Sequence, residues 1–140
     1  MADIIYNSFK AKIMNGSIDL DTDTIKVMLV TSTYTPNQDT HDFKDDVTNE
    51  VSGTGYTAGG ATIANDSVAV DTTDNEGVYD GDDVTWATST ITARAAVLYK
   101  DTGTASTSPL ICYLDFGSDQ SSSAGDFTIQ WNAEGILNLA

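Results

Sequence analysis

Cysteine is nearly missing from this chain: Cys112 is the single one, which rules out an internal disulfide and a thiolate metal cluster. It sits in the apolar run LICYLDF and reads as a small core residue. Basic residues are scarce as well, six against twenty-one acidic, for a net charge of −15. An acidic field of that size repels phosphate backbones and anionic lipid, so neither nucleic acid nor membrane is an expected partner. No apolar run reaches the roughly eighteen residues of a membrane span. The first residues, MADIIYNSFKAKIMNGSIDL, hold no signal-type run, and Asp3 precedes any basic residue. Ala2 stands where N-myristoylation needs glycine. A soluble protein is expected, one that reaches its place without a secretion signal of its own. At 140 residues the length fits one domain spanning 1–140, with a core of its own.

What is present is alternation. From Ile91 the residues Ile91, Ala93, Ala95, Val97 and Tyr99 occupy every second position, the period of a half-buried strand and not of a helix. Val84 and Trp86 have the opposite parity, so a turn or bulge is expected within Ala87 to Thr90. The stretch from Asp83 to Lys100 thus reads as a central hairpin or bent strand pair with one apolar face. Ile4 to Met14 reads as a short helix appended at the N-terminus, with Ile5, Phe9 and Ile13 in one stripe and Asn15-Gly16 ending it. Such a helix is marginal alone, so its stripe must dock.

Thr24 to Val30 reads as a strand, Thr33 to Asp46 as a loop with one helical turn near its end, and Gly53 to Ala64 as a glycine-rich turn region. Short strands are expected at Ala61 to Ala64 and Ser67 to Asp71, with Asp71 to Asp83 as a polar connection. Leu110 to Phe116 is a strand with Leu110, Cys112, Leu114 and Phe116 inward, and Gly117 to Gly125 a serine-rich turn. Phe127, Ile129 and Trp131 alternate, and a short strand runs from Ile136 to Leu139. Turn signals separate these segments and no strand-helix-strand spacing occurs. The expected fold is mainly β: an antiparallel β-sandwich, jelly-roll-like, with one short helix.

Chemistry-bearing patterns are thin. Asp115-Phe116-Gly117 matches a kinase tripeptide in letters, without the phosphate loop, strand lysine or catalytic-loop sequence that give it meaning. The glycines from Gly53 to Gly60 have no following helix or nearby lysine to make a phosphate cradle. Asp71, Asp74, Glu76, Asp80, Asp82 and Asp83 are hard-oxygen candidates for Ca²⁺, although no calcium-loop spacing is filled. Asp19, Asp21 and Asp23 have the first three spacings, but Thr24 and Val30 replace the required Gly and Glu. Solvated acidic loops are the plainer reading, and no cofactor is expected. The lone His41 and the apolar setting of Cys112 form no nucleophile and base pair, and two carboxylates for a hydrolase are always to be found in so acidic a chain. Arg94, the sole arginine, falls opposite Ile91 and Val97 by parity, with Leu98 on its side. It is either the cross-strand partner of an aspartate or an intermolecular contact.

Four stretches, SFK…IMNGSIDLDTDTIKVMLVTSTYTPNQDTHDF, VSGTGYTAGGA, DDVTWATSTITARAAVLYKDTG and LICYLDFGSDQSSSAGDFTIQWNAEGILNL, together resemble small structural proteins of tailed-phage virions, among them capsid cement or decoration proteins. The resemblance covers nearly the whole chain. It implies a jelly-roll-like sandwich made in the host bacterial cytoplasm and placed on the capsid exterior. Its implied partners are the major capsid protein and the chain itself, as homodimer or homotrimer, and its implied action is non-enzymatic: bridging capsomers against outward pressure. A subunit gripping several capsomers gains from effective concentration. The N-terminal helix, the Thr33 to Asp46 loop and the glycine turn are the expected contact elements, with Arg94, Leu98, Phe43 and Tyr56 as interface residues. The alternative in the same family setting is a tail or head-fibre protein that binds a host glycan.

Overall fold

The computed structural model describes residues 2–140. In chain order the elements are β1 (Ile4–Ile5), α1 (Asn7–Met14), β2 (Ile25–Val30), β3 (Ala61–Thr62), β4 (Ser67–Asp71), β5 (Glu76–Asp80), β6 (Val84–Ser89), β7 (Thr92–Lys100), β8 (Leu110–Ser121), β9 (Gly125–Ile129) and β10 (Leu137–Leu139). Every strand pair is antiparallel. They form a five-stranded sheet in the order β1-β8-β7-β2-β3, a three-stranded sheet β10-β5-β4 and a two-stranded sheet β6-β9. The fold is mainly β, antiparallel and sandwich-like with one short α-helix, as the alternation predicts.

The five-stranded sheet is covered on both faces. Successive side chains of a strand point to opposite sides, and β2 and β7 divide accordingly. Ile25, Val27, Leu29, Ala96 and Leu98 join a core with Tyr79 of β5, Trp86 of β6 and Phe127 and Ile129 of β9. Met28, Val30, Ala95, Val97 and Tyr99 join a second core with Tyr6, Tyr34, Leu110 and Tyr113. The smaller sheets lie over one face; Tyr6, Tyr34 and the half-buried Val47 close the other. The second core contains a polar chain: the Tyr6 and Tyr34 hydroxyls are 2.9 Å apart, and the Tyr34 hydroxyl is 2.8 Å from His41 Nδ1. Burial is the main cause that pushes the Tyr34 hydroxyl up to about 12.

The glycine turn is pinned against β2. The Tyr56 hydroxyl donates to Glu50 Oε2 at 2.7 Å and accepts from the Leu29 N–H at 2.9 Å. Gly60 has φ +79°, and a Cβ there would run into the Val27 carbonyl oxygen. Only glycine satisfies both the left-handed backbone and the close approach.

Several expected elements are corrected. The helix spans Asn7–Met14, not Ile4–Met14, because Ile4 and Ile5 pair with Tyr113 and Cys112 on the edge of the large sheet. The expected polar connection Asp71 to Asp83 contains β5. Tyr79 is its one fully buried side chain, so acids on either side conceal the period of two. Residues 117–121 belong to β8 rather than to a serine-rich turn.

The irregularity within Ala87 to Thr90 is present: the register shifts between Trp86 and Ser89, and Thr88 has φ 50°. It does not make a hairpin, since β6 pairs with β9 while β7 pairs with β2 and β8. The single apolar face of β7 is also corrected. Ala93 pairs with Gln120 but Ala95 pairs with Asp115, so residues 116–119 bulge opposite Arg94. Ile91 and Ala93 belong to the first core, and Ala95, Val97 and Tyr99 to the second.

Candidate docking groove

Beside α1, the three-stranded sheet leaves part of its core-facing side open. Directly opposed residues of antiparallel strands share a face. Val68, Tyr79 and Leu137 form one row across β4, β5 and β10, and Val70, Gly77 and Leu139 the next. Tyr79 is buried, whereas Val68, Val70 and Leu139 are 47%, 80% and 69% exposed. The opposite wall comes from α1 and the turn after it: Phe9 and Ile18 are buried, Ile13 and Leu20 half-buried, and Ile5 lies at the rim. Between them runs a groove of about 390 Å³. A Cβ on Gly77 would meet nothing within 4 Å, so the floor is open there. The stripe that had to dock does so through Phe9, with Ile13 packed half-buried beside it and Ile5 left at the rim.

The groove is almost wholly apolar. Its polar lining residues, Lys10, Tyr79 and Asn138, have partners in the chain: Lys10 Nζ donates to Asn7 Oδ1 at 3.2 Å, the Tyr79 hydroxyl to Asp66 Oδ2 at 2.7 Å, and the Asn138 amide to Glu76 Oε1 at 2.5 Å. Acids border both ends. Asp21 Oδ1 accepts the outward N–H of Val68 at 3.0 Å, and the Asp71, Asp74 and Glu76 carboxylates cluster within 4.8 Å at the β4–β5 turn.

Of the calcium candidates, the structure brings Asp71, Asp74 and Glu76 together, without Asp80 or Asp82. Asp71 Oδ1 already accepts the N–H groups of Thr73 and Asp74, and Asp82 Oδ2 accepts from Asn65 at 2.7 Å. The Asp19 to Asp23 spacing serves the backbone: Asp23 Oδ2 accepts the Asp19 N–H and pairs with Lys100 at 3.0 Å. In the structure these carboxylates hold loop backbone.

Arg94 takes the cross-strand role, its Nε 2.9 Å from Asp115 Oδ1, a carboxylate only 2% exposed. Leu98 is fully buried in the first core, which corrects its placement at an interface: the face it shares with Ala96 is covered by the smaller sheets. Phe43 is half-buried, bridged to Pro109 and capped by Lys12 Nζ at 4.8 Å from its ring centroid. Tyr56 is half-buried and spent on Glu50, Leu29 and the ring of Trp86. His41 Nδ1 lies within hydrogen-bonding distance of the Asn37 N–H and the Tyr34 hydroxyl. Burial pushes the Cys112 thiol up to about 12, as its place in the core requires. Asp115 to Gly117 is the start of the β8 bulge, with the Gly117 N–H donating to Asp115 Oδ1.

The groove itself is missed from the sequence alone. A signal for it exists in Val68 and Val70 and in Leu137 and Leu139, each pair spaced by two on a short strand. Such spacing marks a face without saying whether anything covers it. Comparisons of the chain with protein-family models, curated proteins and solved structures give no match.

Proposed function

We propose that this chain is a structural protein of a tailed-phage virion, seated on the outside of the head, where it binds the major capsid protein and bridges neighbouring capsomers. The observation that carries the reading is the resemblance of four stretches covering nearly the whole chain. The groove beside α1 supports it, because an exposed apolar sheet face on so acidic a molecule is a contact surface. It lies against the N-terminal helix, one of the contact elements the resemblance implies. The jelly-roll connectivity and a homodimer or homotrimer belong to the same proposal. The protein acts by holding and not by catalysis: each contact is weak, and simultaneous engagement of several capsomers makes the whole strong. The acidic surface meets basic patches on the shell, which raises the association rate and sets orientation more than affinity.

Copy number on purified virions tests it. Copies on the order of hundreds on the head surface, set by the many-fold repeat of capsomers, are the expected result. A few to tens of copies located on the tail would move the protein to the fibre role, and none on the virion would end the reading.

A further inference from the structure

We propose that the groove between α1 and the β4–β5–β10 sheet seats an aliphatic segment of a partner protein that is flanked by lysine or arginine. The inference deepens the binding role above and rests on it for the partner's being a protein. Three observations select this occupant. The first is the lack of free polar groups: small-molecule sites carry a few placed polar groups that fix orientation, and here Lys10 and Asn138 are both engaged within the chain. The second is the strand edge. Strand addition needs outward backbone groups on β4, and Asp21 occupies the Val68 N–H. The occupant therefore lies over the face, with side chains against Val68, Leu137 and Leu139, and uses the open space above Gly77.

The third observation is charge. Acids stand at both ends of an apolar floor, and the molecule carries −15. A second copy would bring the same charge to the same place and be repelled; a segment with cations beside its aliphatic anchors would be drawn in and held in register.

The test uses the whole chain and two labelled peptides, Lys-Lys-Leu-Ala-Leu-Leu-Lys-Lys and its counterpart with glutamate for lysine, followed by fluorescence anisotropy. The expected result is binding of the lysine peptide and at least about tenfold weaker binding of the glutamate one. In a Leu139→Ser variant, at a groove-lining residue 69% exposed, the lysine peptide should bind about tenfold more weakly, a loss near 1.4 kcal/mol, with the melting temperature and net charge unchanged. Equal binding by that variant would show attraction by charge alone and overturn the proposal. So would a concentration-dependent dimer, seen by sedimentation, that the variant abolishes, since a second copy would then be the occupant.

Binding to heads that lack the protein separates this inference from the function proposed above. If wild type and variant bind the heads equally, the groove is not the seat, while the virion role stands. If wild type does not bind heads but the lysine peptide still depends on Leu139, the groove stands and the virion role falls.

Discussion

β4 and β7 are both antiparallel strands with aliphatic side chains at alternate positions, yet they meet opposite fates. β7 is buried at every residue from Ala95 to Tyr99, while β4 is exposed at every residue from Ser67 to Val70. The difference does not lie in the strands' own patterns. β7 is in the middle of the five-stranded sheet, with a layer over each face; β4 is the edge of a three-stranded sheet whose inner side extends past α1. Alternation states which side chains share a face, and only the neighbouring layers decide whether that face is dry.

The comparison can be broken most directly at Leu98. Leu98→Ala removes a fully buried side chain and should cost about 2–5 kcal/mol in a denaturant titration; a loss below about 1 kcal/mol would mean that the sheet is not closed over that residue. Gly60→Ala comes next, at roughly 1–3 kcal/mol for a left-handed backbone that must also move away from Val27. Its measured effect tells whether the glycine turn is held rigidly on β2. Tyr34→Phe leaves the buried Tyr6 hydroxyl without the partner 2.9 Å away and should cost about 1–3 kcal/mol, which gauges how dry the second core is.

A smaller effect is expected with acid. Hydrogen bonding to the Phe43 N–H is the largest cause that holds Asp46 below the usual carboxylate range, and the Asp42 N–H adds to it. A lowered folded-state pKa contributes stability above the unfolded value of about 4 and loses it as pH falls through the folded one. Asp46→Asn should therefore flatten the acid limb of the stability curve while leaving its slope near neutral pH unchanged. The smallest effect belongs to β4: Val70→Ser, at a residue 80% exposed, should change the stability of the isolated chain by no more than about 0.5 kcal/mol. A loss as large as that of Leu98→Ala would show that β4 is covered in solution after all.

Much of the fold is legible before any coordinates. The period of two at Ile25 to Leu29 and at Ala95 to Tyr99 marks the two central strands, and the break near Thr88 follows from parity. β5 is not legible, because Tyr79 alone of its side chains is fully buried and one residue makes no period. The bulge at residues 116–119 hides for another reason: its Gly117-Ser118-Asp119 looks like a turn, and only pairing with Thr92 and Ala93 makes the residues after it a strand. The same bulge explains Arg94, for which the sequence leaves two roles open. It brings the guanidinium beside Asp115, a partner 21 residues away.

By itself, then, the sequence determines composition, charge and local period: an acidic, antiparallel β chain whose one cysteine belongs in a core. These are properties of single residues and near neighbours, and they follow from side-chain chemistry and strand geometry alone. Which faces are closed is decided only by the tertiary structure, because burial belongs to a pair of surfaces and depends on layers contributed from distant parts of the chain. Leu98 is removed from any interface by strands that follow and precede it in sequence, and Val70 and Leu139 are left open because no described layer of the chain closes over them.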